Sequence, residues 1–184
     1  MISLPNTDLG PAEMADSKLL QGKLGIPEEK IIILHPGREA APHLLEEIDA
    51  VVKNWPEDWR IIFHKGYFSP RPAHSSQNYD EHLVFSSTPL PNHLLKDLYA
   101  SATIGYVWHL NEARPAGGKN QDYIGYSSGK FNLFAKYGKP VITSNQPTFK
   151  EIFSDYRCGI AIDSPQDLSG AIRAILADMD TYRA

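Results

Sequence analysis

Short apolar runs alternate along this chain with longer stretches in which apolar residues recur every three or four positions. The first run, Ile31–Leu34, has four adjacent apolar residues and no polar alternation, which is typical of a parallel strand covered on both faces. No hairpin turn signal joins it to the next run. The same pattern predicts five more strands, at Trp59–Phe63, Leu83–Phe85, Thr103–Trp108, Val141–Thr143 and Gly159–Ile162.

The stretches between the apolar runs have helical periodicity. Proline is accepted in the first turn of a helix and ends a helix elsewhere, so Pro42 and Pro56 bound the first long one. At the last helix, Ser164 is predicted as the N-cap and Pro165 as the first helical residue. The predicted helices cover or begin at Ser17–Leu24, Pro42, Pro91, Ser127 or Ser128, Pro147–Tyr156 and Ser164.

Strands that alternate with helices, without hairpins, predict an α/β fold. We expect a Rossmann-like three-layer sandwich, in which a mostly parallel six-stranded sheet has helices on both faces. A length of 184 residues fits one domain of this kind. Residues 1–29 are predicted as a lead-in with a short helix, which the family resemblance described below implies to be an interdomain linker, and residues 30–184 as the domain itself.

Composition narrows the possible functions. Eighteen Lys and Arg against 22 Asp and Glu give a net charge of −4, which excludes the strongly basic surface of a general nucleic-acid binder. The single cysteine, Cys158, cannot form an internal disulfide. No apolar run approaches the ~20 residues that span a bilayer, and the first six residues do not resemble a signal peptide. We therefore expect a cytoplasmic protein without a membrane span or a nucleic-acid partner.

The segment after the fourth strand is the richest in candidate ligand-binding residues, and ligands of an open parallel sheet bind at the carboxyl ends of its strands. Gly125 allows close backbone approach, and Ser127 and Ser128 stand where a helix begins. Free N–H groups and the positive end of the dipole attract an anion there, and Lys130 adds a charge. The segment therefore suits a phosphate, although it lacks the full phosphate-loop signature. The alternative is a serine that only caps the helix, with Lys130 in solvent.

Two other strand ends carry similar signals. Gly37 permits a tight turn after the first strand, and Arg38 beside it can hold a diphosphate through two parallel hydrogen bonds. Lys65, after the second strand, has the same interpretation. The alternative is a turn glycine next to a solvated arginine.

Three histidines, His35, His64 and His109, fall at the ends of strands one, two and four and could converge. Three imidazoles can bind zinc, but no recognised spacing or carboxylate-bearing motif accompanies them. We therefore expect no metal and no cofactor, and favour contact of one histidine with a sugar or phosphate. A Gly-x-Ser-x-Gly elbow is also missing from the sequence, so no catalytic residue is assigned.

Taken in order, these motifs resemble the carboxyl-terminal, nucleotide-sugar-binding half of a retaining, group 1 (family 4-like) glycosyltransferase with the two-domain GT-B architecture. The opening Leu4-Pro5-Asn6 matches the interdomain linker of that family. The most specific part is Ser127-Ser128-Gly129-Lys130 with Tyr137-Gly138-Lys139-Pro140-Val141-Ile142 after it. Further matches are Gly37-Arg38, Leu94–Ala102, Glu151 and Gly159-Ile160.

The resemblance implies a hexosyltransferase whose donor, a nucleotide-diphosphate sugar with UDP as the expected nucleotide, binds to this chain. An N-terminal domain of the same parent chain would hold the acceptor, so this chain alone is expected to bind weakly and transfer nothing. The family's acidic-x7-acidic motif has Asp122 at its first position here, but Lys130 at its second. The residues expected to bind the donor are Gly37, Arg38, Lys65, Ser86, Asp122, Gly125, Ser127, Ser128 and Lys130.

Two other functions remain open at the level of sequence. A nucleotide-sugar epimerase of the same architecture would share the donor loop, and acceptor-dependent turnover would distinguish the transferase from it. A non-catalytic, flavodoxin-like interaction domain belongs to another class. If no nucleotide bound to the chain, the interaction domain would be favoured.

Overall fold

Six parallel strands form one sheet in the order β3-β2-β1-β4-β5-β6 in the computed structural model, which describes residues 11–37, 42–65, 79–86, 90–109 and 122–183. Arg38, Leu4-Pro5-Asn6 and the predicted loop Asn111–Gln121 lie outside the described residues. The strands are β1 (Ile31–Pro36), β2 (Trp59–His64), β3 (Leu83–Ser86), β4 (Ile104–Val107), β5 (Val141–Ser144) and β6 (Gly159–Ile162).

Helices connect the strands, and short 3₁₀ turns, Asn92–Leu94 and Pro165–Asp167, precede two of them. Their presence on both faces of the sheet confirms the predicted Rossmann-like α/β class. The helices are α1 (Leu19–Leu24), α2 (Pro42–Val52), α3 (Leu95–Ala100), α4 (Ile124–Ser127), α5 (Gly129–Lys136), α6 (Pro147–Tyr156), α7 (Leu168–Ala177) and α8 (Met179–Arg183).

All six predicted strands are present, with ends that differ by at most two residues. The first strand continues through His35 and Pro36, which stay in register with Phe63 and His64 of β2. The prediction that one helix begins at Ser127 or Ser128 is wrong in part, because Ser127 ends the short α4. Ser128 has extended backbone, and its hydroxyl accepts the N–H of Phe131 to cap α5.

The two faces of the sheet have separate apolar cores. Because successive strand residues point to opposite faces, Ile33 packs with α2 and α7, while Ile32 and Leu34 pack with α1, α3, α5 and α6. All three side chains are fully buried. Coverage of both faces explains why the strands are continuous apolar runs.

Close contact between Gly105 in β4 and Phe134 in α5 seats that helix on the sheet. A Cβ atom at position 105 would lie 2.5 Å from Cδ2 of Phe134, closer than any real contact. The Phe134 ring is fully buried and packs edge-on against Tyr99, with 4.7 Å between the ring centroids. The height of α5 above the sheet therefore depends on the missing side chain at position 105.

We expect Gly105→Ala to lower the free energy of unfolding by about 1–3 kcal/mol, the usual cost of overpacking a core. Gly170→Ala in α7 is the matched control, because a Cβ there meets nothing within 4 Å. That control should gain up to about 1 kcal/mol from helix propensity. Urea denaturation of both variants measures the difference, and equal stabilities would contradict the seating role of Gly105.

Candidate functional site

The order of the sheet reverses between β1 and β4, and a crevice between their carboxyl ends is where open α/β sheets bind ligands. We call this side of the sheet the carboxyl edge. Gly37 follows β1 there, His109 follows β4 by two residues, and the first turn of α5 supplies Ser128 and Lys130. Of the residues predicted from sequence, Gly37, Ser128 and Lys130 therefore lie at the reversal point, and His109 lies there with them.

Lys130 lies across Gly37. A Cβ at position 37 would be 2.5 Å from Cε and 2.7 Å from Nζ of Lys130, and Gly37 has a positive φ of 115°, which favours glycine. The lysine is half-buried, and this burial lowers its pKa. The solvated alternative for Lys130 is therefore wrong: its ammonium group is held at the turn after β1.

His35 and His109 flank this ammonium group. Burial, and next the charge of Lys130, lower the pKa of His35 to about 3 and that of His109 to about 4. His35 donates its Nδ1 hydrogen to the carbonyl of Tyr106, at 3.0 Å. Both rings are therefore neutral at neutral pH, and Lys130 is the cation that acts on them among the described residues.

One ring nitrogen of His109 has no hydrogen-bond partner among the described residues. Its Nε2 is buried and has no hydrogen-bond partner within the described part of the chain, while its ring stacks on Phe149 at 5.9 Å between centroids. A closed set of hydrogen bonds holds the residue: its N–H donates to Ser144 (2.8 Å), Ser144 donates to the Gln146 side-chain oxygen (2.8 Å), and the Gln146 amide donates to the His109 carbonyl (3.0 Å). A fixed, unpartnered imidazole nitrogen is a position for a ligand hydroxyl or phosphate oxygen.

The short α4 is tied to α6 rather than to the strands. The N–H of Gly125 donates to the Thr148 hydroxyl at 3.0 Å, and the N–H of Thr148 donates to the Asp122 carbonyl at 3.3 Å. A side chain at position 125 would collide with that hydroxyl. The Asp122 and Ser127 side chains are exposed beside this turn. Gly125 is therefore in close contact with Thr148, and its predicted approach to a ligand stays a prediction.

Lys65 and Ser86 extend the carboxyl edge beyond β1. The Gly37 N–H donates to the carbonyl of His64 (2.9 Å), and the Lys65 N–H donates to the carbonyl of Ser86 (2.8 Å). His64 bonds to the Ser86 hydroxyl through Nδ1 at 2.9 Å. His64 is therefore engaged on the β3 side, and only His35 and His109 flank Lys130.

Sequence reasoning missed the supporting groups after β5. Ser144, Gln146 and Thr148 hold the backbone of His109 and Gly125, and all three side chains are buried. Their position after a predicted strand was the only available signal. Within the described residues, no group of three His, Cys, Asp or Glu side chains is placed to hold a metal ion, and no helix there is long and apolar enough to cross a membrane.

Taken together, the carboxyl edge can bind an anion. Among the described residues, the Lys130 ammonium group, the first turn of a capped helix and two neutral imidazoles lie there together. The exposed Glu151 is bonded to the hydroxyl of Tyr126, which raises the pKa of that phenol, so it is engaged on the α4 side. The arrangement suits phosphate groups and neighbouring hydroxyls.

Several solved structures have this fold. The C-terminal domain of a glycosyl transferase group 1 family protein (LpcC) from Francisella tularensis matches 98% of this chain and 92% of that one, with 15% identity and a TM-score of 0.57. WaaG, a glycosyltransferase involved in lipopolysaccharide biosynthesis, matches 98% of this chain and 48% of its own, with 17% identity and a TM-score of 0.56. HepE from Anabaena, in complex with UDP, matches 90% of this chain and 44% of its own, with 14% identity and a TM-score of 0.55.

These matches confirm the predicted resemblance to glycosyltransferase carboxyl-terminal domains as a resemblance of fold. The chain spans less than half of the WaaG and HepE chains and almost all of the LpcC domain. No protein-family model matches the sequence, and no curated protein matches it.

The two neutral histidines predict a stability that depends on pH. Unfolded histidine titrates near 6.5, whereas His35 and His109 titrate near 3 and 4 in the fold. Between about pH 6.5 and pH 4 the unfolded chain binds more protons, so the free energy of unfolding falls with falling pH, by about 1.4 kcal/mol per unit for each histidine. Above pH 6.5 both histidines are neutral in the folded and unfolded chain, so their contribution to the free energy of unfolding is fully present there.

Urea denaturation at about pH 5 and about pH 7.5 measures this slope. His109→Gln should reduce it, while His93→Gln, at an exposed position in the turn before α3, should leave it unchanged. The assignment is wrong if His109→Gln keeps the full slope.

Proposed function

We propose that this domain binds a nucleotide-diphosphate sugar at the carboxyl edge and serves as the donor half of a glycosyltransferase. The observation that carries the proposal is the position of the Lys130 ammonium group, over Gly37 and at the first turn of α5. The fold shared with glycosyltransferase domains supports the same function.

The diphosphate would lie against the first turn of α5. Ser128 caps the N–H of Phe131, and the N–H groups of Gly129 and Lys130 have no partner within their own helix, as at any helix start. A diphosphate there would offset the burial of the Lys130 ammonium group by charge-assisted hydrogen bonds. The lysine would thus act on the diphosphate, where the related motif has a carboxylate for the ribose.

The other parts of the donor fall to residues around this point. UDP is the proposed nucleotide, supported by the UDP complex of HepE. Ser86, at the end of β3, would lie near the nucleoside, and Arg38 and Lys65 would add their charges at the diphosphate. Asp122 and Gly125 would face the sugar. His109 Nε2 would bond a sugar hydroxyl or a phosphate oxygen.

Transfer itself would need a second domain. The chain spans 48% and 44% of the WaaG and HepE chains, and we infer that an acceptor-binding domain of the parent protein closes over the carboxyl edge. Closure orients the acceptor and excludes water, which this edge cannot do alone. The isolated chain would therefore bind a donor that carries a hexosyl group, but it would not transfer that group.

Isothermal titration of the chain with UDP, GDP, ADP and UDP-glucose tests the donor proposal. We expect saturable binding with UDP preferred, and Lys130→Met should weaken it by about tenfold or more, the effect of one lost charged hydrogen bond. The control is Lys150→Met, an exposed lysine on α6, which should bind as the original chain does.

Two results would contradict the proposal. If no nucleotide binds at millimolar concentration, an interaction domain is favoured. If Lys130→Met and Lys150→Met bind UDP with equal affinity, the diphosphate does not bind at α5. Turnover of the donor by the parent protein without any acceptor would instead identify an epimerase.

A further inference from the structure

A second cavity lies at the opposite, amino edge of the sheet, where the strands begin. It has a volume of about 300 Å³, at the lower end of the range for small-molecule sites. The segment before α1, the turn between α3 and β4, and α8 line it, together with Gln21 and Lys139. We call it the rear cavity. The rear cavity and the carboxyl edge lie at opposite ends of β4, whose four residues span about 13 Å.

Three cations and one carboxylate line the rear cavity. Lys18, Lys139 and Arg183 are the cations, and Asp16 is the only carboxylate among the described residues of its lining. Lys139 and Arg183 both donate to the same Asp16 oxygen, at 2.6 and 3.0 Å. The described lining of the rear cavity therefore has a net charge of +2, from three cations and one carboxylate.

The compensation by Asp16 is also weak. Its side chain is 76% exposed, so water screens its charge, whereas the Lys139 side chain is only 2% exposed. Burial lowers the pKa of Lys139, Asp16 opposes that change, and the charges of Arg183 and Lys18 lower it further. A buried ammonium group close to two other cations is stabilised by an additional anion.

Gln21 is a second, independent sign of a ligand. The residue is buried in α1 and lines the rear cavity, and its Oε1 has no hydrogen-bond partner among the described residues. An unsatisfied buried amide oxygen costs about 1–3 kcal/mol. A ligand that brings a hydroxyl group into the cavity would supply the missing donor.

We propose that the rear cavity is a binding site for a small phosphate compound, either inorganic phosphate or the phosphate monoester of a small polyol. Lys139, Arg183 and Lys18 take the phosphate oxygens, and Gln21 takes a hydroxyl hydrogen from the ligand. The ligand would join the segment before α1 to α8, which are connected here by the bond from Arg183 to Asp16. This site is independent of the proposed donor function at the carboxyl edge.

Titration of the chain with inorganic phosphate and with glycerol 2-phosphate, followed by amide shifts, tests the proposal. We expect saturation with shifts around Gln21 and Lys139, and at least tenfold weaker binding in Lys139→Met. The matched control is Lys96→Met, because Lys96 also pairs with a carboxylate of the segment before α1, Glu13, but on the surface. Tighter binding of the monoester would identify a metabolite, and equal binding would identify free phosphate.

Further variants distinguish loss of binding from loss of folding, and binding in the rear cavity from binding at the carboxyl edge. Arg183→Gln, at a partly exposed position, and Gln21→Leu, which keeps the side-chain volume, should each weaken binding if Lys139→Met does not fold. Phosphate bound at the carboxyl edge would shift amides around Lys130, so Lys130→Met should remove those shifts and keep the ones around Gln21 and Lys139. The proposal is overturned if neither compound saturates the chain, if the Arg183, Gln21 and Lys139 variants bind normally, or if Lys130→Met abolishes the shifts around Gln21 and Lys139.

Discussion

The packing of the Phe134 ring against the bare backbone of Gly105 determines where α5 stands, and the arrangement of the carboxyl edge depends on that helix. With α5 at this height, its capped first turn faces the end of β1, and Lys130 reaches across Gly37. Each contact has a glycine on the strand side, so neither the helix nor its lysine could come as close to a longer residue. An apolar contact within the core thus sets the position of a charge at the edge.

Charge is handled differently at the two ends of the sheet. At the carboxyl edge, burial keeps His35 and His109 neutral, so neither imidazole adds a positive charge to that of Lys130 and the helix dipole. At the amino edge, Lys139 and Arg183 share one exposed carboxylate. The first arrangement suits a ligand that must enter and leave, because little has to be rearranged when the ligand is absent. The second accumulates like charges and favours an anion that stays.

The sequence was sufficient for the strands because both of their faces are covered, which makes runs such as Ile31–Leu34 continuous and easy to recognise. It was also sufficient to place Lys130 at a helix start. It could not distinguish Ser127 from Ser128 as the cap, since both are good capping residues and only the backbone shows that Ser127 ends α4 and Ser128 is extended. Nor could the sequence show that His35 and His109 flank Lys130 while His64 does not, because this difference depends on strand order and on the bond of His64 to the Ser86 hydroxyl.

The junction between β1 and β4 has consequences for the kinetics of folding. Ile32 and Thr103, which are bonded across it, are 71 residues apart along the chain, whereas the strands on either side are joined by single crossovers. Closing so long a loop costs entropy before its contacts form, so the two halves of the sheet should assemble first and dock late. A ligand held at this junction would bind only the docked state, and it would therefore slow unfolding while leaving the rate of folding almost unchanged.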